Sequence, residues 1–96
     1  MESIIIKLVY NSNSKKLYSE LKEFVNNFSD IQLEAYHEEY KKDRKKAFFI
    51  KSSWSTRQTP FVIIENEKPI KAFYSDNNEC TLSNIISFIN ERSKNS

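Results

Sequence analysis

Apolar and polar residues along this chain fall into short blocks whose period switches between two and roughly three to four residues. Ile4 to Tyr10, with only Lys7 interrupting, is β-branched and almost continuously apolar, the pattern of a central strand covered on both faces. Asn11 to Ser14 stops it and offers Ser12 or Ser14 as cap for a helix. Leu17, Leu21, Phe24, Val25 and Phe28 then recur at helical spacing and predict a helix over 15–27, with Lys15, Lys16, Glu20, Glu23 and Asn27 toward solvent. Ile31 to Ala35 alternates apolar with polar, which suits an edge strand, and the two strands and their helix read as a right-handed βαβ unit.

A charge-dense run from His37 to Lys46 leads into Ala47-Phe48-Phe49-Ile50 and Trp54. Tyr40, Ala47, Ile50 and Trp54 share one face, and Glu38 stands four residues before Lys42, so a second helix is expected over 38–53. Ala47 to Ile50 also fits a short strand. Phe61 to Ile64 reads as a central strand, Glu65 to Lys68 as a hairpin loop, and Ile70 to Tyr74 as a second edge that tolerates Pro69. After a loop over Asp76 to Glu79, Thr81 caps a last helix with an apolar stripe of Leu82, Ile85, Ile86 and Ile89, fraying from Glu91 to Ser96. The order β-α-β-α-β-β-α predicts an α/β fold with a four-stranded mixed sheet flanked by helices.

Composition narrows the function classes. A chain of 96 residues is expected to form one domain over 1–96, with a single modest core. A net charge of +2 is too small to point to nucleic acid or to a membrane surface, and no apolar run reaches spanning length. No signal-like segment precedes the first strand, so a cytoplasmic setting is expected. The single cysteine excludes an internal disulfide and agrees with a reducing compartment. Glycine is absent, so turns must be built from Asn, Asp, Ser and Pro. The richness in Asn, Lys and Ile suggests an AT-rich genome.

The segment Arg57-Gln58-Thr59-Pro60-Phe61-Val62-Ile63-Ile64 resembles the part of glutaredoxins and thioredoxins in which a polar turn leads through a threonine- or valine-proline pair into a hairpin. The resemblance implies a thioredoxin-like fold, a cis Thr59-Pro60 bond and a groove beside it. Thr59 would carry the amide and carbonyl that pair with an extended peptide, which in glutaredoxins is glutathione. The families' Cys-x-x-Cys falls on Asn11-Ser12-Asn13-Ser14, where no thiol stands. Their glycine-rich turn after the last strand, which holds the glutamyl end of glutathione, is here Tyr74-Ser75-Asp76-Asn77.

The candidate site is therefore a groove of Tyr10, Asn11, Ser12, Ser14, Arg57, Gln58, Thr59, Pro60, Tyr74 and Asp76. A serine at a helix start needs a base to act as nucleophile, and His37, the only histidine, belongs at the far end of the second strand. Capping is the simpler role for Ser12 and Ser14, and a solvated position the simpler reading of His37 than a metal ligand. Cys80, ahead of the last helix, is a candidate reactive thiol because a helix N-terminus depresses a thiol's pKa; packing against Ile85 is its alternative. The leading expectation is a non-enzymatic binding module that has lost dithiol chemistry, takes a protein or peptide partner and needs no cofactor. The alternative is a divergent thiol-disulfide protein linked to glutathione.

Overall fold

The computed structural model describes residues 3–94. Strands β1 (Ile4–Tyr10), β2 (Ile31–His37), β3 (Phe61–Asn66) and β4 (Lys68–Tyr74) alternate with helices α1 (Lys15–Val25), α2 (Lys41–Ser53) and α3 (Leu82–Lys94). Short 3-10 turns precede α1 at Ser12–Ser14 and follow β4 at Ser75–Asn77. The sheet order is β2-β1-β3-β4; β1 and β2 run parallel, and β3 is antiparallel to both its neighbours. The two most apolar strands thus take the centre and the two mixed strands the edges, as their composition requires.

The sheet separates two unequal cores. On one face Ile4, Ile6, Leu8, Val62 and Ile64 meet Leu17 and Leu21 of α1 and Ile85 and Ile89 of α3. On the other, Val9, Phe61 and Ile63 meet only Ala47 as a fully buried residue of α2, with Ile50 and Trp54 partly covered. That helix covers one end of the sheet. Ile5 and Lys7 of β1, expected to be covered on both faces, are accordingly half-buried, and Lys7 pairs with Glu65 at 3.3 Å.

Several boundaries differ from expectation for identifiable reasons. Helix α1 ends at Val25, and Asn27 and Phe28 continue as turns onto the carbonyls of Phe24 and Val25, leaving Phe28 42% exposed. Helix α2 begins at Lys41, three residues later than expected, because the Glu38 amide donates to the Tyr10 carbonyl at 2.9 Å. Glu38 therefore lies outside the helix and cannot make the local pair with Lys42. Tyr40 leaves the buried face of α2 and stacks on the His37 ring, centroids 3.9 Å apart. Ala47 to Ile50 is helical, not a strand.

The hairpin turn tightens from the expected Glu65 to Lys68 loop to Glu67 alone, between paired Asn66 and Lys68. Without glycine the chain places Ser55, Glu67 and Asn78 at φ of 55°, 67° and 56°, a left-handed region that costs an L-residue with a Cβ about 1–2 kcal/mol. In β4 the register slips between Ile64 and Glu65, leaving Ile70 unpaired and turned into the same core as Phe73. The expected stripe of α3 is carried by Ile85 and Ile89, fully buried, with Leu82 and Phe88 packed beside them. Thr81 caps that helix, its hydroxyl accepting from the Asn84 amide at 3.2 Å.

Candidate functional site

The end of β1 meets the loop after β2 because parallel pairing of the two strands brings Tyr10 opposite His37. Asn11 follows Tyr10 and Glu38 follows His37, so two polar residues emerge side by side at the carboxyl ends of the two parallel strands. The Asn11 amide group donates to Glu38 Oε2 at 3.1 Å. Glu38 Oε1 accepts from Lys51 Nζ at 2.9 Å and from the Thr59 hydroxyl at 2.9 Å, and Lys51 Nζ also reaches Thr59 Oγ1 at 2.7 Å. Asn11, Glu38, Lys51 and Thr59 form one closed cluster that ties the start of the first helix to the turn before Pro60.

Burial by itself raises the Glu38 carboxyl pKa. The bonds from Lys51, Thr59 and Asn11 outweigh it, and the carboxyl titrates below its ordinary value.

The start of the first helix is closed by a second carboxylate. Asn11 caps the 3-10 turn, its side chain accepting from the Asn13 amide at 3.0 Å, while the buried Ser14, at the N-cap position of α1, accepts through its hydroxyl from the Asn11 amide at 2.9 Å. Ser14 adds no side-chain cap to α1 itself. The Ser12 amide and hydroxyl both donate to Glu39 Oε1, each at 2.7 Å. Those hydroxyl and amide bonds hold the Glu39 pKa below its usual value. Glu39 thus occupies the Ser12 amide at this helix end.

Thr59 is held but not consumed. Its peptide to Pro60 is cis, and the Ser75 hydroxyl donates to the Pro60 carbonyl at 2.7 Å. The buried Thr56 shapes the approach, its hydroxyl accepting from the Gln58 amide and its amide donating to the Lys51 carbonyl. Neither the amide nor the carbonyl of Thr59 takes part in a backbone hydrogen bond among the described residues. The arrangement presents a half-buried backbone bend beside a cis proline, with its amide and carbonyl open. Beside it opens a hollow of about 720 Å³ walled by Glu38, Lys51, Thr56, Arg57, Arg44 and Phe48.

The expected groove is only partly assembled. Asn11, Ser12, Ser14, Thr59 and Pro60 converge as described, and Arg57 and Gln58 lie exposed at its rim. Tyr10 turns to the α1 face, where its ring stacks on Tyr18 at 4.6 Å, while Tyr74 turns to the α2 face, packing on Phe61 and donating to the Trp54 carbonyl. The sheet lies between the two tyrosines, so they cannot share one surface. Asp76 sits exposed in the 3-10 turn after β4 and makes no hydrogen bond to the cluster among the described residues.

His37 corrects the expectation of a solvated residue. It is 2% exposed, held between the rings of Tyr10 and Tyr40, and its Nδ1 accepts from the Glu39 amide at 3.2 Å. Cys80 takes the packing role and not that of a thiol with depressed pKa: it is buried among the residues of the larger core, Ile85 included, and burial pushes its thiol up to about 12. Among the described residues no group of three or more His, Cys, Asp or Glu could hold a metal ion, and no helix is long and apolar enough to cross a membrane.

Glu38, Glu39 and Lys51 were not legible as site residues. Glu38 and Lys51 are thirteen positions apart and match no local period; only the fold brings them together.

No protein-family model and no curated protein matches the chain. Solved structures do. Thioredoxin f2 of Chlamydomonas reinhardtii superposes with a TM-score of 0.70 at 11% identity, over 96% of this chain and 81% of that one. Malaria parasite thioredoxin-2, described as a component of the parasite's protein secretion machinery, gives 0.66 at 10% identity, over 94% and 84%. A designed protein gives 0.57 at 13% identity, over 88% and 77%. At such identities the likeness establishes the fold: this chain has a thioredoxin-like fold.

Proposed function

We propose that this protein is a thioredoxin-fold binding module that works without dithiol chemistry and takes an extended protein or peptide segment against Thr59. The observation that carries the reading is the open amide and carbonyl of Thr59 beside Pro60, at a helix start already closed by Glu39. An added segment pairs its backbone there, and Arg57 at the rim contributes a contact of a residue type enriched at binding hot spots. The reading gives the module no cofactor and places it in the cytoplasm. The competing redox reading draws on Cys80, whose thiol is buried in the folded state, or on a thiol supplied by a partner.

Two measurements test the proposal. With hydroxyethyl disulfide, glutathione and glutathione reductase, the protein is expected to consume no NADPH above background; turnover lost on Cys80→Ser would overturn it. A partner captured from the native host should bind Arg57→Ala at least about fivefold more weakly, the loss of more than about 1 kcal/mol that marks a significant interface residue.

A further inference from the structure

The outer face of α2 carries the largest unexplained feature of the molecule. Phe48 and Phe49 are 73% and 72% exposed, although a core on that side of the sheet lies one residue away at Ala47. Lys41, Lys42, Arg44 and Lys45 stand exposed on the preceding turns, and none has an acidic partner among the described residues. The acids that would offset them face elsewhere: Asp43 Oδ2 accepts from the His37 amide at 3.1 Å, and Glu38 is bound to Lys51. Since the whole chain carries only +2, the cations are concentrated here and the remainder of the surface is net acidic.

We propose that the segment taken up at Thr59 is acidic with an apolar anchor, and that it runs from Thr59 past Arg57 and Arg44 to seat that anchor against Phe48. The proposal rests on the reading of Thr59 as a peptide-pairing edge and adds the chemistry of the partner. Thr59 bonds Glu38 and Lys51, and these two share the lining of the hollow of about 720 Å³ with Arg57, Arg44 and Phe48. A second hollow, about 630 Å³, is lined by Phe48 together with Phe49, Ile50 and Tyr36, so Phe48 borders both basins.

The occupant follows from shape and charge. A second copy of this chain would set Lys41 to Lys45 against their own kind, which like-charge repulsion disfavours. A lipid surface is flat and leaves both basins unfilled. A long polyanion such as nucleic acid extends past the patch onto the net acidic surface, whereas a short acidic segment meets only the cations within about 8 Å, the screening length at physiological salt. Such a segment fills the basins with side chains and pairs its carboxylates with Arg44 and Arg57 in two-pronged contacts.

The test is selection from a random peptide library displayed on yeast, with the intact protein as bait. Recovered peptides are expected to be rich in Asp and Glu around an aromatic or aliphatic residue. Their affinity, read by fluorescence anisotropy, should fall at least about tenfold on Phe48→Ser and on Arg44→Glu with Arg57→Glu, and should weaken as salt is raised. Circular dichroism checks that these exposed substitutions leave the fold intact. Peptides without acidic enrichment that bind the Phe48→Ser protein normally, yet lose affinity when their own backbone is N-methylated, would overturn this inference and leave the Thr59 reading standing. Recovery of no peptide would overturn both. If in that case vesicles containing phosphatidylserine, or an oligonucleotide, bind in a Phe48-dependent way, the face serves another anion.

Discussion

Glu39 places one carboxylate oxygen 2.7 Å from both the amide nitrogen and the hydroxyl of Ser12, and so closes from outside the helix start that Asn11 caps from within. In a thioredoxin-like fold this is the end of the first helix where a reactive thiol would gain from the local positive potential. Here the chain supplies its own anion, from the loop after β2. Glu39→Ala should therefore lower the thermal midpoint, and hydrogen exchange of the Ser12 amide should speed up; an unchanged Ser12 exchange rate would remove the Glu39 contact from the account.

Asn11 does more than either serine beside it, since it caps the turn and bonds Glu38. Asn11→Ala is expected to cost about 1–2 kcal/mol in chemical unfolding, within the range of lost caps. Ser12→Ala should cost less. The reverse order would return the capping role to Ser12.

The Glu38–Lys51 pair is the link between β2, α2 and the proline turn, with side chains 25% and 14% exposed. Lys51→Met leaves the carboxylate without its cation and should destabilise by about 1.5–3 kcal/mol, the range for hydrogen bonds to charged groups. Because the folded-state pKa of Glu38 is lowered, its contribution is fully present above the unfolded value near about 4.3 and is lost as pH falls through the lower folded value. Unfolding measured from neutral pH into that acid window should show a shallower loss of stability for Glu38→Gln than for the unaltered protein. Equal slopes would mean that other carboxylates dominate the acid limb.

Cys80 is expected to resist Ellman's reagent in the native protein and to react at the rate of a free thiol once unfolded, because burial pushes its pKa up to about 12. Rapid labelling under native conditions would reopen the redox reading.

Glu67 sits at φ 67° in a hairpin turn where a Cβ is unfavourable. Glu67→Gly should raise stability by up to about 1 kcal/mol, the relief of the left-handed conformation offset in part by the greater freedom glycine gives the unfolded chain. A thermal midpoint that falls would show that Glu67 makes a compensating contact.

Local pattern carried some elements and missed others for reasons that differ by residue. The continuous runs Ile4 to Tyr10 and Phe61 to Ile64 announce central strands, since only a position between two neighbours with helices above and below tolerates that much apolar surface. His37 was misread because a histidine among glutamates resembles a solvated helix start. Its burial comes from Tyr10 across the parallel pair and Tyr40 at the turn, contacts that no period in the sequence encodes. Glu38 and Lys42, four apart, looked like a helical pair. The Tyr10 carbonyl captures the Glu38 amide first, and the helix starts too late to include it.

By itself the sequence determined the element order, the central strands, the turn into Pro60 and the absence of a thiol at the start of the first helix, because periodicity, proline and cysteine act over a few neighbouring residues. Tertiary structure alone decided which polar groups meet. Parallel pairing set Asn11 beside Glu38, the return of α2 brought Lys51 to both Glu38 and Thr59, and the small area of α2 against the sheet left Phe48 and Phe49 outside. Those relationships depend on the separation of whole elements in space, a length scale on which the spacing of residues along the chain carries no signal.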